Sequence, residues 1–76
     1  MIKKGIYKHF KGQLYEVIEL ARHSETEEDY VVYRTLYGDR STWVRPLSMF
    51  SEMIEYEGKT TRRFEFVEDG HTEVTR

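Results

Sequence analysis

Residues 30–37 read Tyr30-Val31-Val32-Tyr33-Arg34-Thr35-Leu36-Tyr37, followed by Gly38-Asp39-Arg40. β-Branched and aromatic side chains pack well on a pleated surface, so this run is the strongest strand signal in the chain. Gly38-Asp39-Arg40 turns the strand back. Segment 41–45 (Ser-Thr-Trp-Val-Arg) is its partner, and Pro46 stops the ladder because proline has no N–H to donate.

Upstream, residues 24–29 form a polar, acidic connection. Segment 14–22 (Leu-Tyr-Glu-Val-Ile-Glu-Leu-Ala-Arg) is the preceding strand. Neither its odd nor its even positions are purely apolar, which predicts curvature or a bulge. Segment 5–10 is a shorter strand, joined to it by the tight turn Lys11-Gly12-Gln13. Downstream, Leu47, Phe50 and Ile54 fall at i, i+3 and i+7 with Met53 beside them. That spacing predicts a short helix over 47–54, with Ser48 as N-cap. Segment 55–61 reads as a loop. Residues 62–67 alternate as a final strand, with Phe64 and Phe66 on one face. The polar stretch 68–76 is expected to fray.

The expected fold is all-β: a small SH3-like, partly open barrel of about five strands with one short helix. An open meander with the helix on one face is the alternative. The chain of 76 residues makes one domain, with its structured part at 5–67. A domain of this size buries roughly 60% of its unfolded surface, so its stability is thin. With no cysteine to staple it, four Phe, six Tyr and one Trp must supply much of the core. No disulfide scaffold is possible, and a reducing compartment is compatible. No apolar run follows Lys3-Lys4, and none approaches the roughly 20 residues needed to span a bilayer. The expectation is a cytoplasmic protein with no membrane partner. A net charge of −2 gives no general attraction to nucleic acid or anionic lipid.

Several boxes occur in a fixed order. They are Gly5-x-Tyr7-x-His9-Phe10-Lys11-Gly12-x-x-Tyr15, Ala21-x-His23-Ser24-Glu25-Thr26, Val32-Tyr33-x-x-Leu36-Tyr37-Gly38, Trp43-Val44-Arg45-Pro46 with Phe50, and Arg63-Phe64. In this combination the chain resembles a short bacterial domain of unknown function, DUF1653, over residues 5 to about 66. The resemblance implies a small β-rich cytoplasmic domain. It implies no activity and supplies no catalytic residues. Residues 27–29 and the tail after Val67 look particular to this chain.

Four chemistries can be weighed on the residues. His9, His23 and Glu25 could ligate a metal, since His23-x-Glu25 places two donors on one strand face. The plainer reading is a loop-orienting histidine and a turn-capping glutamate, so no metal or cofactor is assigned. Ser24 beside His23 lacks a glycine-rich elbow, and neighbours on a strand point to opposite faces. The Ser24 and Thr26 hydroxyls are better read as bonding backbone amides in a turn, and no catalytic residue is assigned. Lys3, Lys4, Lys8 and Lys11 lie among Tyr7, His9 and Phe10, a pattern that can stack bases and neutralise phosphates. Lysines on an edge strand also block edge-to-edge pairing.

Protein or peptide binding ranks first. Tyr7, Tyr15, Tyr33, Tyr37 and Trp43 could line a groove, of which two are expected to be exposed and the rest core. Glu25 or the acidic loop could pair with a basic ligand. Arg45, held extended by Pro46, is either an anchor for an anion or the partner of Glu25, Glu27 or Asp39; the internal pair is slightly favoured. The candidate surface comprises Tyr7, His9, Lys11, His23, Ser24, Glu25, Thr26, Tyr33, Trp43 and Arg45. A nucleic-acid-associated module is the runner-up, and a small-molecule-binding or catalytic role is third. The oligomeric state stays open.

Overall fold

In the computed structural model, which describes residues 2–69, the strand-forming stretches build seven strands and one helical turn. The order is β1 (Gly5–His9), β2 (Leu14–Arg22), β3 (Asp29–Thr35), β4 (Thr42–Pro46), α1 (Leu47–Phe50), β5 (Met53–Tyr56), β6 (Lys59–Arg62) and β7 (Phe64–Glu68). Five strands form one antiparallel sheet in the order β4-β3-β2-β1-β7, and β5-β6 is a separate hairpin. Among the described residues no helix is long and apolar enough to cross a membrane.

β3 alternates as its sequence demands. Val31, Tyr33 and Thr35 are buried, while Tyr30, Val32 and Arg34 are not. β2 explains its own mixed pattern. Tyr15 and Val17 pair with Thr35 and Tyr33, then the register shifts, and Glu19 and Leu20 pair with Val32 and Val31. Ile18 is the extra residue of a bulge, which lets Leu20 take over the inward role from Val17. Glu19 points out and reaches Lys4 at 3.2 Å. Gly5 sits where β1 meets β7, at φ +142. A Cβ there would lie 2.6 Å from the Glu68 carbonyl and 2.9 Å from the Phe66 ring.

The core is Tyr7, Val17, Val31, Tyr33, Phe50 and Phe64. Phe50 and Phe64 stack with centroids 4.1 Å apart, and Tyr7 stands edge-on to Phe50 at 5.3 Å. Phe64 on β7 also lies 6.2 Å from Tyr33 on β3 and 5.6 Å from the Arg45 guanidinium on β4. The sheet therefore curls until its two edge strands face each other across the core, with Phe50 of α1 between them. β4 and β7 do not hydrogen-bond, and the sheet stays open.

The region after Pro46 departs from expectation. Helix α1 covers only Leu47–Phe50 rather than 47–54, and its N-cap is Pro46 with no side-chain hydrogen bond, so Ser48 caps nothing. Leu47 and Phe50 pack inward, but Met53 is exposed and belongs to β5. The expected loop at 55–61 is the β5-β6 hairpin. Glu57 and Gly58 both have positive φ, 52 and 79, as a two-residue turn of the mirror-image type requires. A single uncapped turn of helix is weak. The β-formers around Glu57-Gly58 extend the chain instead. β7 runs to Glu68, one residue into the stretch expected to fray; residues 70–76 lie outside the described residues.

Candidate functional site

Edge strand β4 presents the most unusual surface. Trp43 pairs with Tyr33 and Arg45 with Val31, so both stand on the core-facing side of the sheet. Being on the edge, they are only partly covered: Trp43 is 54% exposed, whereas Tyr33 is 6% exposed. Beside them lies a cavity of about 300 Å³ lined by Tyr15, Tyr33, Thr35, Tyr37, Trp43 and Arg45, with the β3-β4 turn as its rim. Gly38 at φ 60 and Arg40 at φ 55 shape that turn, and Asp39 Oδ1 accepts the Ser41 N–H at 3.1 Å.

The tyrosines form a connected set. Tyr15 meets Tyr33 at 5.5 Å, Tyr37 at 5.6 Å and Phe64 at 5.3 Å, all edge-on. The Tyr15 and Tyr37 hydroxyls are hydrogen-bonded at 2.8 Å. Burial, then the Tyr37 hydroxyl, pushes the Tyr15 phenol up to about 12.

His9, at the end of β1, packs against Phe10 at 4.4 Å and Phe64 at 5.0 Å. Its Nδ1 accepts the Lys11 N–H at 3.2 Å. Burial holds its pKa below the usual imidazole range, aided by the positive charges of Arg63, Arg45 and Lys11.

Nine of the ten residues expected to share one surface divide into three groups, and the tenth, Tyr7, is core. Tyr33, Trp43 and Arg45 meet at the cavity. His9 is joined to them through Phe64 and Tyr15, and Lys11 follows it in the exposed turn, its Nζ 5.8 Å from the Phe10 ring. His23, Ser24, Glu25 and Thr26 lie elsewhere. They follow Arg22 at the far end of the β2-β3 ladder, whereas the cavity sits at the Tyr15–Thr35 end. At roughly 3.3 Å per residue, the span from Val17 to Arg22 alone is about 17 Å. His23 Nδ1 accepts the N–H groups of Glu25 at 3.1 Å and Thr26 at 3.3 Å, and Thr26 Oγ1 accepts the Glu28 N–H at 3.2 Å. This box builds its own turn. The same separation keeps His9 from joining His23 and Glu25 as a metal triad.

Tyr7 is not a surface residue. It is 5% exposed and donates its hydroxyl to the Lys3 carbonyl at 2.7 Å. Of the five rings considered for a groove, Tyr37 and Trp43 are exposed, Tyr15 is half-buried, and Tyr7 and Tyr33 are core. The favoured pairing of Arg45 with Glu25, Glu27 or Asp39 does not form. Arg45 instead lies over Phe64, and its Nε is buried without a hydrogen-bond partner among the described residues.

A second cavity, of about 320 Å³, lies where the hairpin packs on β1. Lys8, His9, Phe10, Tyr56, Lys59 and Arg62 line it, together with Glu57 and Glu65. The rings of Phe10 and Tyr56 meet edge-on at 4.8 Å. The sequence pattern places Tyr56 and Lys59 in a loop and Arg62 at the start of the final strand; the β5-β6 hairpin brings all three to this cavity.

Comparison with known proteins agrees with this fold. The crystal structure of a protein belonging to DUF1653 from Bordetella bronchiseptica is similar, with a TM-score of 0.83, 32% sequence identity and 95% of each chain covered. No curated protein matches the chain. The family model for DUF1653, a protein of unknown function, matches residues 5–66. On this evidence the chain belongs to the DUF1653 family.

Proposed function

We propose that the chain is a non-catalytic binding module that takes an extended protein segment along the outer edge of β4. The observation that carries this reading is Trp43: a large ring, 54% exposed, on a sheet edge unpaired among the described residues and beside an aromatic cavity. An edge strand offers a row of N–H and C=O groups to an incoming strand, and adjacent pockets select its side chains. Val44, 61% exposed on the other face of the same strand, extends the apolar contact. Within this reading the curled sheet is an SH3-like partial barrel, and the module works in the cytoplasm, where a chain without cysteine loses nothing. The test is a chemical-shift titration of labelled protein with short strand-forming peptides. Shifts at Thr42–Pro46 and the Trp43 indole, removed by Trp43→Ala, are expected; silence there from every peptide rejects the reading.

A second reading rests on the other cavity, where β6 adds Lys59 and Arg62 to the Lys8–Phe10 face. Such a surface suits single-stranded nucleic acid. It predicts an affinity for short oligonucleotides that falls steeply with salt, with a shallower slope in Lys59→Ala. A salt-independent or absent interaction removes it.

A further inference from the structure

Three described arginines are half-buried: Arg34, Arg45 and Arg63. Arg34 faces Glu16 at 4.0 Å, and Arg63 bonds Glu52 at 3.0 Å. Arg45 has no carboxylate within ion-pairing reach among the described residues, and its Nε is shut off from solvent with no acceptor. A buried N–H with no acceptor is costly, and a carboxylate beside this half-buried guanidinium would offset that cost. The Phe64 ring, 5.6 Å away, offsets only part of that cost. Asp39 shares the cavity, but its Oδ1 is committed to the Ser41 N–H. The other charges gathered near His9, those of Arg63 and Lys11, are also positive. Arg45 lines the cavity beside Tyr15, Tyr37 and Trp43.

We infer that the segment bound at β4 carries a carboxylate side chain, and that Arg45 receives it. This rests on the edge-strand reading above. It also sets a spacing. Trp43 and Arg45 are two residues apart on one face, roughly 7 Å along the strand. A segment paired with β4 presents alternate side chains to that face, so an apolar residue against Trp43 and an acidic one against Arg45 lie two positions apart. Arg45 is oriented for the task by Pro46, which holds it extended, and a guanidinium fork suits a carboxylate.

The test uses three acetylated, amidated peptides rich in threonine and valine. They differ at one position, two residues from a phenylalanine, which is glutamate, glutamine or lysine. The glutamate peptide should bind about tenfold tighter than the glutamine peptide, weakest binding should be to the lysine peptide, and the Arg45 Nε–Hε resonance should move. Arg45→Gln should equalise the glutamate and glutamine peptides while the Trp43 indole still shifts. Arg45→Lys keeps the charge should that variant fail to fold, and should retain part of the preference. Equal affinities in the unmodified protein overturn the carboxylate assignment and leave the edge-strand reading intact. Sodium acetate against sodium chloride at matched ionic strength separates the remaining case. An Arg45 Nε–Hε shift with acetate, when no peptide binds, upholds the carboxylate subsite and rejects the strand. No shift with acetate, when no peptide binds, rejects both.

Discussion

The guanidinium of Arg45, on one edge strand, stands 5.6 Å from the centre of the Phe64 ring, on the other. The two strands are separated by three others in the sheet. Their meeting means that the sheet has curled nearly through a full circuit without closing. The same contact seats Arg45 at the wall of the aromatic cavity, so the curl that buries Phe64 also places the candidate anchor.

Phe64 is 4% exposed and packs against Phe50, Tyr15, Tyr33 and His9. Phe64→Ala removes the ring shared by both ends of the sheet. A loss of about 3–5 kcal/mol is expected, a large part of the stability available to so small a domain. Urea unfolding followed by circular dichroism checks this; a midpoint unchanged from the parent protein would contradict the packing described.

Gly5→Ala places a methyl group 2.6 Å from the Glu68 carbonyl at a φ that side chains rarely adopt. The expected cost is about 1–3 kcal/mol. Each kcal/mol lowers Tm by about 4–8 °C in a domain of this size. The amides of β7 should lose hydrogen-exchange protection before those of β3, because the clash falls on the β1-β7 pairing.

His9 titrates below its ordinary value because burial and nearby positive charge disfavour the imidazolium. A group whose folded pKa is lowered binds fewer protons folded than unfolded. Stability should therefore rise with pH from the folded midpoint of His9 up to about 6.5, the unfolded value. Proton NMR of the ring gives the midpoint directly. Arg45→Gln should move it upward; an unmoved midpoint would show that the two groups do not feel each other.

Tyr15 behaves in the opposite sense. Its folded pKa of about 12 exceeds the ordinary value of 10.0, chiefly through burial and then through the Tyr37 hydroxyl. The stabilisation is complete below the unfolded pKa and is lost as pH rises from 10.0 toward 12. Ultraviolet titration of the six tyrosines should show a late-ionising fraction. Tyr37→Phe removes the hydroxyl contact and should bring that fraction to lower pH.

Trp43 is the single tryptophan and is exposed. Its fluorescence should be readily quenched by iodide, and Trp43→Ala should change stability by about 0.5 kcal/mol or less. A well-shielded indole or a strongly destabilised variant would make Trp43 a core residue and end the binding proposal built on it.

The local patterns were legible in the sequence. β-Formers bounded by turn residues located β1 to β4, and the conflict between odd and even positions in 14–22 pointed to curvature or a bulge, which the structure places at Ile18. The Leu47–Ile54 stripe misled because a period of three and four residues fits a short run by chance. The competing signal was Glu57-Gly58 between Ile54-Glu55-Tyr56 and Lys59-Thr60-Thr61, a two-residue turn between β-formers.

Sequence by itself determined the all-β class, the strands of the main sheet, the family and the short list of chemically able residues, because these depend on neighbours along the chain. Tertiary structure decided which residues share a surface. The 23–26 box and the Trp43–Arg45 box are near in sequence, and β4 runs back along β3 until Arg45 pairs with Val31, yet the Trp43 and Arg45 side chains line the cavity with Tyr15, Thr35 and Tyr37 while the 23–26 box folds into its own turn. Tyr33 and Trp43 lie directly opposite each other, and one is core while the other is exposed. That difference comes from strand order: a central strand is covered on both sides by its neighbours, and an edge strand is covered on one. Whether Arg45 has an ionic partner was likewise settled by curvature, which brought it to Phe64 instead of to an acidic loop.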